Sequence, residues 1–101
     1  MTAPAPRLLS VIAPCRNEAA FIDAFCDSVL RQQLPEGWHM EVLIADGESD
    51  DGTRERLQER CAHDARLVLV DNPGRIVSTG INACIARAQG DRFAEERYAR
   101  R

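Results

Sequence analysis

Three short runs of the chain are apolar at successive positions instead of alternate ones: LLSVIA at 8–13, EVLIAD at 41–46 and RLVLVD at 66–71. Each is rich in branched residues and ends in polar or turn-forming ones, so each predicts a strand buried on both faces, as in a parallel sheet. Between them the period changes. Ile22, Phe25, Cys26, Val29 and Leu30 fall on one helical face, with Asp23, Asp27 and Arg31 on another, Asn17 as the expected N-cap and Pro35 as the stop. The segment 52–63 has only a narrow stripe, Thr53, Leu57 and Cys61, among charges, and predicts a surface helix docked by one edge. A third helix is expected over 78–89, with Ile81, Cys84, Ile85 and Ala88 inward and Gly90 as its left-handed C′ residue.

Strand and helix alternate three times, which predicts an open Rossmann-like α/β fold, a parallel sheet in three layers built from three βα units. Ligands of such sheets bind beyond the carboxyl ends of the strands. Here those ends carry PCRNE (14–18), DGESDDGT (46–53) and DNPGR (71–75), so an acidic, glycine-containing rim is expected to face a ligand crevice.

Composition narrows the choice of partner. The chain has 101 residues, 45% of them apolar, enough for one core. With 13 basic and 16 acidic side chains interspersed and a net charge of −3, it has no field to attract nucleic acid. The start MTAPAPR lacks an apolar leader and no run reaches membrane-spanning length, so a cytoplasmic chain is expected, with membrane association only if a C-terminal part outside this sequence supplied it. Residues 1–7 are expected to be disordered, 8–91 to form the domain, and 92–101 to be a charged tail that reads more readily as helix than as strand. Cys15, Cys26, Cys61 and Cys84 form no CxxC pair and have no histidine at a ligand spacing, which argues against a zinc or disulfide framework.

At the rim, Asp46 ends its strand on rigid backbone and can accept a hydrogen bond from a ligand N–H, although a turn or cap role is equally open to it. Asp50 and Asp51 stand where a helix begins and are expected to cap it. PCRNE after the first strand fits neither a phosphoryl-accepting receiver, which needs an acidic pair there, nor a haloacid-dehalogenase-type phosphatase, which needs DxD. No GxxxxGK[ST] or GxGxxG motif is present. His39 and His63 are solitary and read as solvated side chains.

Taken together, SVIAPCRNEAAFIDAFCDSVLRQ, EVLIADGESDDGT and LVDNPGRIVSTGINACIARAQGD resemble the nucleotide-sugar-binding half of family 2 glycosyltransferases, which has the GT-A fold, and look most like bacterial exopolysaccharide enzymes of the succinoglycan type. The resemblance implies nucleotide-binding roles for Pro14, Asn17 and Glu18 in PxxNE, for Asp46 as the base-reading aspartate, and for Arg75, Ser78 and Asn82 near the nucleotide and its phosphates. It implies a nucleotide-diphosphate sugar donor, UDP-type by preference, and sugar transfer in polysaccharide biosynthesis. Glu48 stands where glycine or asparagine is commoner, and Cys84 replaces a usual glycine.

The end of the chain departs from the family. Where members continue into a buried strand ending in a DxD pair that holds Mg²⁺ or Mn²⁺, this sequence reads RFAEERYARR. No catalytic residue, metal ligand or cofactor is therefore assigned within it, and no transfer is expected from this chain alone. The alternative is a non-catalytic, truncated nucleotide-binding or interaction module; a third reading is an unrelated α/β domain whose rim acids are only caps. Without a fourth strand, residues 8–13 would form an exposed edge and a route to self-association.

Overall fold

The computed structural model describes residues 7–90 and 92–95. Its elements run β1 (Arg7–Cys15), α1 (Ile22–Leu30), β2 (Trp38–Asp46), α2 (Thr53–His63), β3 (Leu67–Asp71), α3 (Val77–Arg87) and β4 (Arg92–Glu95). The four strands form one parallel sheet in the order β3-β2-β1-β4. No helix among the described residues is long and apolar enough to cross a membrane.

The consecutive apolar runs are explained by two cores, one on each face of the sheet. Val11 and Ala13 of β1, Val42 and Ile44 of β2, and Leu67 of β3 pack against Ile22, Cys26 and Val29 of α1 and Leu57 of α2. Their strand neighbours Ile12, Leu43, Ala45 and Val70 point the other way, onto Cys84 of α3. Because successive strand side chains alternate faces, covering both faces demands an apolar residue at nearly every position. This is the three-layer Rossmann-like architecture the pattern predicts, with Cys84 facing β2, where its thiol donates to the Leu43 carbonyl at 3.4 Å.

The structure corrects several local expectations. The largest concerns β1, which is central: Leu9–Ile12 pair with Arg92–Glu95 of β4 on one side while β2 flanks the other. The edge at 8–13 is thus closed along Leu9–Ile12, and the self-association expected from it loses its structural basis. Helical propensity in RFAE yields to the unpaired backbone of β1, which pairs with any extended segment brought alongside it. Residues 96–101, the rest of the expected tail, lie outside the described residues, as do 1–6 at the start and residue 91.

Asn17 is not the N-cap of α1. The helix begins five residues later behind Phe21, and the Glu18 carbonyl accepts from Phe21 N–H and Ile22 N–H at 2.9 and 2.8 Å. Nor does Gly90 close α3 in a left-handed turn: the helix ends at Arg87, Ala88 is extended, and Gly90 is not among the positive-φ residues. A side chain at 90 would overlap Ser10 Oγ and come within 2.8 Å of Leu8 O and Ser10 N, so it is close approach to β1 that requires glycine there. Asp27, finally, pairs with Arg60 of α2 at 2.5 Å instead of Arg31 one turn on.

Candidate nucleotide-binding rim

The parallel register aligns the strand ends, with Cys15 beside Asp46 and Asp46 beside Asp71. Each strand then enters a loop containing one non-glycine residue in the left-handed region: Asn17 at φ 53°, Glu48 at φ 57° and Arg75 at φ 68°. Such a conformation costs about 1–2 kcal/mol for an ordinary L-residue and less for asparagine. Three of them side by side at one rim need stabilisation from outside the loops' own propensities.

The stabilisation comes from bonds between loops. Asn17 N–H donates to Ser49 Oγ at 2.8 Å, and the Asn17 side-chain oxygen accepts from Asp50 N–H at 2.9 Å. Glu18, buried, donates its N–H to Thr53 Oγ1 at 2.8 Å, and the Arg16 guanidinium reaches Gly47 O at 2.6 Å. Glu48 and Arg75 are joined by a 2.6 Å contact from Arg75 Nε to Glu48 Oε1. Thus Glu48 is more than an indifferent loop substitution: it occupies a left-handed position that glycine would fill without strain, and it holds Arg75, another of the three strained residues.

The two acids expected as caps divide. Asp51 accepts from Thr53 N–H and Oγ–H at 3.0 and 2.5 Å and from Ala19 N–H at 3.1 Å. The Thr53 hydroxyl and these backbone donors hold its carboxyl below the usual aspartate range. Asp50 joins the network through its backbone N–H, and Gly52, at φ 99°, is the residue at the N-cap of α2.

Asp46 lies at the floor of the rim with its side chain 0% exposed. Its Oδ1 accepts from Ser49 Oγ–H at 2.5 Å, and its Oδ2 accepts from Ser49 N–H and from Arg54 Nη1, both at 3.3 Å. The other amino group of Arg54 pairs with Asp71, so one guanidinium bridges the ends of β2 and β3. Above this bridge opens a crevice of about 490 Å³, walled by Asp46, Glu48, Ser49 and Arg54 on one side and Asp71, Asn72 and Pro73 on the other. Asn72 is buried and fixes the third loop, donating to Ile76 O at 3.0 Å and accepting from Thr79 Oγ1 at 2.7 Å.

Of the seven residues singled out in the sequence, Asp46 is the one in the crevice wall. Asn17 and Glu18 are in the first loop, tied to the second; Arg75 lies behind Glu48; Ser78 and Asn82 are exposed on α3. Pro14 is half-buried, and Gly80 of α3 passes so near that a Cβ there would stand 3.0 Å from Pro14 Cβ and 2.9 Å from Asn72 Nδ2. Sequence reasoning missed Arg54 and Asp71. Arg54 had a signal, since a cation in the first turn of a helix faces the positive end of the dipole and needs acidic neighbours to hold it. Asp71 was visible only as the last residue of its strand.

A second, larger groove of about 690 Å³ lies between α1 and α2. Its arginines are already engaged, Arg56 with Asp23 at 2.6 Å and Arg60 with Asp27, so it is a charged seam joining two helices.

A parallel three-layer sheet with a strand-end crevice defines a Rossmann-like GT-A ligand-binding domain. The glycosyl transferase family 2 profile matches residues 10–95, and the chain belongs to that family. It is 38% identical over 76 residues to the succinoglycan biosynthesis protein ExoA of Rhizobium meliloti, covering 75% of this chain and 22% of that one. It is 40% identical over 86 residues to a putative teichuronic acid biosynthesis glycosyltransferase, TuaG, of Bacillus subtilis, covering 82% and 32% respectively. Among solved structures it superposes on the mannosyltransferase PcManGT from Pyrobaculum calidifontis, in complex with GDP-Man and Mn2+, with TM-score 0.70 and 26% identity over 87% of this chain and 26% of that one. The chain thus spans a third or less of these relatives. The family match also runs through β4, beyond residue 91.

The described residues do not fit a divalent cation. No group of three His, Cys, Asp or Glu side chains converges among them, and the two strand-end aspartates that lie side by side are already bridged by a guanidinium.

Proposed function

We propose that this chain forms the nucleotide-recognition part of a glycosyltransferase that uses a nucleotide-diphosphate sugar, UDP-type by preference, in the synthesis of a bacterial polysaccharide. The observation that carries this reading is Asp46, a buried carboxylate at a central strand end, beside a crevice whose 490 Å³ lies in the range of small-ligand sites. The names of the two sequence relatives support the polysaccharide setting, and that of the solved mannosyltransferase supports a nucleotide-sugar donor.

In this reading each element has a task. Asp46, acceptor-only when ionised, takes the ring N–H that adjoins a carbonyl of the base, a feature uracil and guanine share. The first loop, held through Asn17 and Glu18, supports the base and ribose next to Pro14. Arg75 uses Nε for Glu48 and keeps its Nη groups for a diphosphate oxygen. Ser78 lies in the first turn of α3, whose N-terminus has no side-chain cap and no acid, an arrangement suited to phosphate. The described residues provide recognition; none is assigned to the chemical step. A cytoplasmic setting is part of this proposal, supported by the four free thiols.

The test is amide chemical-shift mapping of the folded chain with UDP and with GDP. Shifts are expected in the three rim loops and the first turn of α3, with weaker binding of both ligands by Asp46→Asn. Shifts confined to the groove between α1 and α2, or affinity unchanged by Asp46→Asn, would overturn the assignment.

A further inference from the structure

A base-reading carboxylate that is 0% exposed cannot be touched by a ligand until one of its neighbours gives way. The geometry indicates which. Oδ1 is held by the Ser49 hydroxyl at 2.5 Å, near the short end for such a bond, whereas both donors to Oδ2 stand at 3.3 Å. One of those, Ser49 N–H, is fixed in the backbone turn. The other is the end of a long side chain, one-third exposed, in the crevice wall. The oxygen most readily released therefore lies under Arg54.

Building on the function proposed above, we propose that Arg54 is an exchangeable cover on Asp46 Oδ2, and that Asp71 is the anchor that keeps the guanidinium paired when the base N–H takes its place. Asp71 suits an anchor: it adjoins Asp46 in the sheet register, is 74% exposed, and accepts from the amino group of Arg54 that Asp46 does not use. The two aspartates raise the Arg54 pKa together, Asp71 by the larger share. Giving up the long contact to Asp46 thus leaves the cation paired and the buried carboxylate with a new donor. Arg54 is a positioning residue in this scheme, and Asp71 acts through it.

The signs of two substitutions test it. Arg54→Gln removes a cation, so bulk electrostatics alone would weaken binding of an anionic nucleotide; loss of the competing cover should instead tighten it. Asp71→Asn removes an anion, which by charge alone would favour the nucleotide; loss of the anchor should instead turn Arg54 fully onto Asp46 and weaken binding. Each change is expected to be about two- to five-fold in Kd, the range of a partly exposed ion pair. The double variant should bind like Arg54→Gln, since an anchor has no effect without the cover. The measurement is Kd for UDP and GDP from amide shifts, which also report that each variant is folded. If Arg54→Gln weakens binding or Asp71→Asn tightens it, Arg54 serves the phosphates and the exchange is wrong, while nucleotide recognition stands. If the unsubstituted chain gives no rim shifts with either nucleotide, the functional reading fails and this inference falls with it.

Discussion

Gly90→Ala should release β4 from the sheet. Gly90 N–H donates to Ser10 Oγ at 2.9 Å, Ser10 Oγ–H donates to Glu41 Oε2 at 2.6 Å, and Gln89 N–H donates to the same carboxylate oxygen at 2.7 Å. Ser10 is fully buried, so this chain of bonds guides the segment after α3 onto the β1 edge. The added methyl would overlap Ser10 Oγ and come within 2.8 Å of two backbone atoms of β1, and no rotamer change moves a backbone atom. Relief requires lifting residues 89–90, which breaks one neutral and one charge-assisted hydrogen bond. At about 1 and about 2 kcal/mol respectively, the expected loss is about 3 kcal/mol. That is a large part of the 5–15 kcal/mol typical of a folded domain. Denaturant unfolding measures it, and hydrogen exchange localises it to the amides of Leu9–Ile12 that face β4. Gly90→Asn separates the two explanations of this glycine: asparagine suits a left-handed helix terminus but not a close contact, so it should cost at least as much as alanine. A loss below about 0.5 kcal/mol for alanine, with β1 protection unchanged, would refute the packing argument.

Two further outcomes follow from burial. Leu57→Ala should cost about 2–5 kcal/mol, because Leu57 and Thr53 are the buried residues of α2 and Leu57 alone is a large apolar anchor; a urea-unfolding loss below about 1 kcal/mol would mean that the ion pairs with α1 hold the helix instead. Burial pushes the Cys15 thiol up to about 12, aided by the Asp46 charge, and the thiols of Cys26 and Cys84 to about 11. Since these folded values lie above the ordinary 9.0, the stability they contribute is complete below pH 9 and declines as pH rises toward 11–12. The denaturation midpoint should therefore fall above pH 9, and alkylation of these three thiols at pH 8 should proceed only as fast as the chain opens; rapid native-state labelling of Cys15 would refute this.

The chain's own pattern revealed the layers of the fold but not the contacts between distant parts. Runs such as EVLIAD are legible because burial on both faces leaves a signature in consecutive residues. Gly90 was misread because its partner, Ser10, is 80 residues away and helical periodicity carries no trace of it. The strand at 92–95 was missed for the same reason: its conformation is set by the β1 edge. At the rim, the strand ends put Asp46 at the crevice, and the capping rules, applied to Asp50 and Asp51 alike, describe only Asp51, whose side chain accepts from Thr53, while Asp50 engages through its backbone. Those rules treat each helix terminus alone. They could not show that Arg54, in the first turn of α2, spans to the end of the third strand.

The three left-handed residues show why the rim must be considered as one unit. A local rule allows asparagine that conformation, but none would place glutamate and arginine there in the next two loops, and Glu48 and Arg75 have no short-range compensation of the kind asparagine can make. Their compensation lies across the gaps: Asn17 is held by the second loop, Glu48 by Arg75 of the third, and Gly47 packs so near Arg75 that an added Cβ would stand 3.1 Å from its carbonyl. Each loop's strain is thus stabilised by its neighbour, so releasing one loosens the others. Such coupling fixes the backbone before a ligand arrives and leaves movement to side chains, of which Arg54, free of the strained backbone and held between two carboxylates, is the one placed to move.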